Sequence, residues 1–275
     1  MKIEVISLPA LYPSLGADKC TLTCYVPDGV DAERGEVRRG LLVLPGGGYS
    51  YCSRREAEPI AVRFAAENYN CYVLDYSCVP ASNGYPLQLR QAAAAMHYIK
   101  SVAAAHRTIQ DRIAAIGFSA GGHLCAALST QFGAACVAEF GDVRPWTSVL
   151  AYPVISVRYP HVGTFQNVAT GTGKAANDPF FSLETHVTAQ TPPTFLWHTA
   201  DDNGVDVRNS LVYAEALTAY GVPYELHVYE KGPHGLSLAR AVTRCGWDKA
   251  AVPEVAVWVE QALAFLDRQA RGPCD

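Results

Sequence analysis

Short apolar runs alternate with longer stretches of helical periodicity along most of the chain. Segments 3–8 and 20–26 (CTLTCYV) alternate apolar and polar positions, as expected of antiparallel edge strands with one face in water. A polar stretch, 28–39, leads to 41–44, a continuous apolar run that reads as a buried strand. Residues 56–68 carry helical periodicity, 71–76 form a strand pattern, and 86–106 are an Ala-rich helix. A strand at 112–118 runs through Ser119 into a helix at 120–131. Strands at 148–152, 194–199 and 224–229, a helix at 207–220 and a closing amphipathic helix at 255–269 complete the pattern. Strands alternating with helices over the whole length predict an α/β protein with a mostly parallel sheet covered by helices on both faces.

One interval breaks this rhythm. Residues 156–192 are rich in Gly, Pro, Thr and Asn and carry weak periodicity. A long irregular segment inside a compact domain is usually a functional loop, so 156–192 is expected as a lid or substrate-binding insertion. No repeat, low-complexity tract or linker divides the chain, and 1–275 is expected as a single domain.

Composition narrows the function classes. The 275 residues are 49% hydrophobic and 17% charged, with a formal net charge of -4. That balance supports a large core and argues against nucleic acid or an anionic membrane surface as partner. No apolar stretch approaches a membrane span, and residues 1–19 lack the charged start and apolar core of a signal peptide, so a cytoplasmic location is expected. The nine cysteines include no C-x-x-C, and Cys71, Cys125 and Cys136 sit in apolar runs, as small buried hydrophobes do. Reduced thiols fit this pattern better than a disulfide framework.

The chemistry is concentrated at Gly117-Phe118-Ser119-Ala120-Gly121, where a strand meets a helix. G-x-S-x-G in that context is a nucleophile elbow: a strained turn that lifts the serine Oγ above the sheet, with glycines where side chains would collide. A serine hydroxyl needs a base, and the base needs a carboxylate to orient it. The order in such a fold is Ser, then Asp or Glu, then His. His234, between Gly232-Pro233 and Gly235 past the last strand, meets the position of the base. The acid lies in His198-Thr199-Ala200-Asp201-Asp202-Asn203-Gly204-Val205, past a strand end. Asp202 meets the superfamily spacing H-x-x-[AS]-D-x-x-V, four residues after the histidine and three before the valine, and Asp201 is the alternative. Two backbone donors for an oxyanion are expected, the amide of Ala120 and those of Gly47 and Gly48 in Pro45-Gly46-Gly47-Gly48-Tyr49. His198 reads as structural and His123 as a packed helix residue, while His97, His106, His161, His186 and His227 have no supporting context. Neither a dinucleotide fingerprint nor a phosphate-binding loop is present, and the proposed chemistry needs no metal or organic cofactor.

With these residues in place the sequence resembles an α/β-hydrolase-fold serine esterase, and most of all the carbohydrate acetylesterase (acetylxylan esterase and feruloyl-esterase-like) group. Leu44 to Tyr49, Arg55 to Pro59, Asp75 to Ser77, Gly117 to Leu124, Thr191 to Asp202 and Gly232 to Leu236 carry the resemblance. Pro45 stands where many relatives have histidine, and Asp206 where many have proline. The resemblance implies removal of short acyl groups, acetyl above all, from a small-molecule or oligosaccharide ester. Tyr49, Tyr51 and the 156–192 stretch are candidates to line the substrate pocket. A feruloyl esterase and a small serine peptidase of the prolyl-oligopeptidase type are the neighbouring alternatives, and a catalytically silent binding protein is the alternative of another class. The sequence leaves a homo-oligomer open.

Overall fold

Eight strands form one sheet in the order β1-β2-β4-β3-β5-β6-β7-β8. They are β1 (Lys2–Ser7), β2 (Thr21–Val26), β3 (Arg38–Leu44), β4 (Tyr69–Asp75), β5 (Thr108–Phe118), β6 (Ser148–Ala151), β7 (Thr194–Thr199) and β8 (Tyr224–Tyr229). β4, β3, β5, β6, β7 and β8 run parallel, while β2 pairs antiparallel with both β1 and β4. The computed structural model describes residues 1–28, 35–244 and 250–271, so part of the polar stretch 28–39 lies outside the described residues.

The apolar runs follow from this order. Parallel strands covered on both faces must be apolar on both, and β7 is buried at every position. β1, at the sheet edge, keeps the alternation of a half-solvated strand. β2 was expected at an edge but lies inside the sheet, and its consecutive Cys24 and Tyr25 are both buried.

Among the described residues, the helices of eight or more residues are α1 (Glu58–Ala65), α2 (Leu87–Ser101), α3 (Ala120–Thr130), α4 (Val162–Ala169), α5 (Arg208–Ala219) and α6 (Trp258–Arg271). Two apolar clusters lie on the two faces. One is anchored by Trp197 of β7 and Trp258 of α6, stacked with ring centroids 5.3 Å apart. α6 buries Trp258, Val259, Ala262, Phe265 and Leu266, the one-sided stripe that the closing periodicity predicts. α2 ends at Ser101, short of the expected 106, and the chain passes through turns and Arg107 at φ 53 to enter β5.

The interval 156–192 is more regular than its composition suggests. It contains α4 and single turns at Pro179–Phe181 and Leu183–His186. α4 seats Phe165 and Val168 in the core, and its first turn is capped by the His161 side chain, which accepts from the Thr164 amide. Among the described residues no helix is long and apolar enough to cross a membrane. The seven described cysteines are free thiols; Cys71 and Cys125 are buried, whereas Cys136 is only half-buried, at the margin of the core.

Candidate active site

β5 ends at Phe118, and Ser119 takes φ 52 and ψ -116 before α3 begins. That conformation is strained for any residue with a Cβ and persists only where its surroundings enforce it. Here they do: the Ser119 amide donates to Ala151 O at 3.0 Å, and Ser119 O accepts from His123 N and Val154 N, each at 3.1 Å. The flanking glycines are sterically required. A Cβ at Gly117 would lie 2.1 Å from Gly121 O, and one at Gly121 would lie 2.1 Å from Leu44 O.

The loop after β8 carries His234 over this elbow. Its Nε2 is 2.8 Å from Ser119 Oγ, and its Nδ1 is 2.8 Å from Asp202 Oδ2. A proton on Nδ1 is shared with the carboxylate, which leaves Nε2 to accept from the serine hydroxyl. Asp202 Oδ1 accepts from the amides of Gly204 and Val205 at 2.8 and 2.9 Å. Burial alone would raise the Asp202 pKa. The hydrogen bonds of His198 and His234 outweigh it and hold the carboxyl well below the usual range, so it is a permanent anion. Asp201 points elsewhere: its Oδ1 accepts from Gly232 N at 2.7 Å and pins the start of the histidine loop. The turn after Asp202 runs flush against the imidazole, since a Cβ at Gly204 would lie 2.8 Å from His234 Cβ.

The glycine loop after β3 forms the facing wall. Gly47 and Gly48 adopt φ 125 and 63, conformations that side chains rarely tolerate. The Gly46 amide is engaged by Glu56 Oε2 at 2.9 Å, and the Ser50 and Tyr51 amides fold back onto Gly47 O. The amides of Gly47, Gly48 and Ala120 make no hydrogen bond among the described residues. A cavity of about 370 Å³ opens here, lined by Gly47, Gly48, Tyr51, Ser119, His161 and His234 among others.

Tyr49 does not line this cavity. With φ 60 its side chain turns into the core, where it is 3% exposed and its hydroxyl donates to His123 Nδ1 at 3.0 Å. Tyr51, by contrast, is 63% exposed at the cavity mouth. His123 is buried on α3, with Nε2 donating to Phe181 O at 3.1 Å, and burial pushes its pKa down to about 4. His198 is fully buried and braces the acid turn, donating from Nε2 to Val205 O at 2.9 Å.

Two residues with no assigned role in the sequence reading belong to the site. Glu56, buried, accepts the Gly46 amide and also the Tyr152 hydroxyl, at 2.6 Å. Tyr152 in turn accepts from Ser237 N at 2.9 Å, and its ring meets that of His234 edge-on at 5.1 Å. A half-buried histidine, His161, enters from the irregular interval with its ring nearly parallel to that of His234, centroids 6.5 Å apart. For Glu56 the sequence signal was its place in the Arg55 to Pro59 segment that carries the resemblance, and for His161 only its position three residues before Thr164.

The sheet order, the elbow and the facing glycine loop define an α/β hydrolase. Residues 41–238 match the Abhydrolase_3 family, of α/β hydrolase fold, and the chain belongs to that family. Over 100% of both chains it is similar to the carboxylesterase Cest-2923 of Lactobacillus plantarum WCFS1, at 30% identity and a TM-score of 0.86. An acetyl ester-xyloside bifunctional hydrolase from Caldicellulosiruptor lactoaceticus shares 31% identity, with 94% of this chain and 96% of that one covered at a TM-score of 0.76. Endo-1,4-beta-xylanase B of Butyrivibrio fibrisolvens is 33% identical over 215 residues, which cover 75% of this chain but only 34% of that protein. The chain thus spans about a third of the xylanase's length. The solved structures it is similar to over nearly its whole length thus include proteins named as a carboxylesterase and an acetyl ester-xyloside hydrolase.

Proposed function

We propose that this carboxylic ester hydrolase works through an acyl-enzyme formed on Ser119. The observation that carries the reading is the unbroken line from Ser119 Oγ through His234 to Asp202, with both hydrogen bonds at 2.8 Å. Ser119 Oγ attacks the ester carbonyl carbon as His234 Nε2 takes its proton, and Asp202 stabilises the imidazolium that forms. The resulting oxyanion is received by the amides of Ala120 and of Gly47 or Gly48, each such donor being worth about 10²–10³ in turnover. The tetrahedral intermediate expels the alcohol, which takes its proton from His234. Water then attacks the acyl-enzyme as His234 takes its proton, and the second tetrahedral intermediate expels the Ser119 oxygen, which regains that proton from His234 as the acid departs.

The substrate we propose is a short acyl ester, acetyl foremost, of a carbohydrate. The similarity to an acetyl ester-xyloside hydrolase and to a xylanase supports the sugar. Ser119→Ala, assayed on p-nitrophenyl acetate and labelled with a fluorophosphonate, tests the mechanism. Activity is expected to fall on the order of 10⁵–10⁶-fold, the scale of serine loss from a triad, and labelling to vanish. Wild-type turnover by the variant refutes it. A panel of acyl lengths on acetylated and feruloylated xylo-oligosaccharides tests the substrate class, and preference for feruloyl esters overturns the acetyl assignment.

A further inference from the structure

The ring of His161 shares the cavity with Ser119 and His234 yet has no part in the proton transfers just described. Its Nδ1 is committed. It accepts from Thr164 N at 3.3 Å and lies 2.7 Å from Thr164 Oγ1. A ring nitrogen that accepts a backbone N–H carries no proton, so the neutral ring holds its proton on Nε2. Burial, followed by the neighbouring His234, lowers its pKa and keeps the ring neutral. Nε2 makes no hydrogen bond among the described residues. The result is a fixed N–H donor in the wall of the cavity, beside the base.

What such a donor meets depends on geometry. His234 must deliver a proton to the oxygen of the leaving alcohol. The two near-parallel rings have centroids 6.5 Å apart. A vicinal diol offers such a pair two oxygens joined by a two-carbon span, one to each ring, through hydrogen bonds of about 2.8–3.0 Å. An alcohol with no second hydroxyl leaves the His161 donor unpaired in a partly desolvated wall. A site built to hydrogen-bond a substrate hydroxyl discriminates against the analogue lacking it.

We propose that His161 is a specificity-determining residue, donating from Nε2 to the hydroxyl next to the ester oxygen, so that the site selects monoesters of vicinal diols, sugars included, over esters of simple alcohols. The proposal rests on Ser119 and His234 acting as nucleophile and base. It also explains why the donor comes from the N-cap of α4: the cap fixes the ring that the substrate meets.

The test uses a nearly isosteric pair, 2-hydroxyethyl acetate and propyl acetate, with the 275-residue chain. His161→Asn keeps a capping oxygen for α4, but its shorter amide no longer places an N–H where the imidazole Nε2 stood, and His161→Gln carries an amide N–H further towards that position. For His161→Asn, kcat/KM on 2-hydroxyethyl acetate is expected to fall about ten-fold, the scale of one hydrogen bond. Propyl acetate should change less than two-fold, and His161→Gln should recover most of the loss. Equal loss on both substrates, or loss on neither, overturns the proposal, the former pointing to a purely structural cap. A wild-type enzyme that takes up fluorophosphonate at Ser119 yet shows no preference for the hydroxylated ester overturns the role of His161 alone. Absence of both labelling and hydrolysis overturns the catalytic reading with it.

Discussion

Removing the Glu56 carboxyl should damage stability and catalysis together, by amounts that the structure bounds. Its two oxygens accept from the Gly46 amide at 2.9 Å and from the Tyr152 hydroxyl at 2.6 Å, and the residue is 4% exposed. Glu56→Ala leaves both donors buried without an acceptor. Each such orphan costs about 1–3 kcal/mol, so the loss lies between about 2 and 6 kcal/mol. At roughly 2–4 °C per kcal/mol for a chain approaching this size, the smaller figure already lowers Tm by about 4–8 °C. Turnover should fall as well, because the Gly46 amide anchors the loop that presents Gly47 and Gly48. Losing one well-placed oxyanion donor would cost about 10²–10³, and a loosened loop should lose at least ten-fold. Glu56→Gln keeps the shape and one acceptor and should rank between the wild type and Glu56→Ala in both properties. Thermal unfolding and kcat on p-nitrophenyl acetate measure the two. An alanine variant with Tm within 1 °C of wild type and unchanged kcat would refute the reasoning.

Two further outcomes are expected. Asp202→Asn should lower kcat by roughly 10⁴-fold, the scale seen when a triad carboxylate becomes an amide. Asp201→Asn should stay within a few-fold, since its carbonyl oxygen can still accept from Gly232 N; greater damage from the Asp201 change would exchange their roles. His123, with its pKa pushed down from 6.5 to about 4, binds its proton in the unfolded chain first. The unfolded state therefore gains protons as pH falls from 6.5 towards 4, and stability drops across that window, by about 1.4 kcal/mol per pH unit at most. Denaturant unfolding at pH 7 and pH 5 should show this drop shrinking in His123→Gln, and an unchanged drop would contradict it.

The parts of the site that sequence reasoning reached are those whose chemistry dictates local residue types. Ser119 needs Gly117 and Gly121 because of backbone contacts near 2 Å, and such glycines are visible in any sequence. The run that became β7 was readable because a parallel strand buried on both faces leaves little choice of residue. Side-chain direction in an irregular loop has no such signature. Tyr49 follows three glycines with its own φ at 60, which turns it inward and leaves Tyr51 at the cavity mouth. Glu56 and His161 act through partners far away in sequence, Tyr152 and His234, and no spacing within one segment reports such a meeting. The helix α4 was hidden because its cap is a histidine rather than the usual Ser, Thr, Asp or Asn.

The Tyr152 hydroxyl has a consequence for motion. It joins Glu56, and through it the Gly46 amide, to the Ser237 amide beyond His234. Neither amide can reach solvent deuterium without disturbing the same four-residue chain of hydrogen bonds. Gly46 and Ser237, near opposite ends of the chain, should therefore exchange in one cooperative opening, and the two walls of the cavity behave as a single dynamic unit.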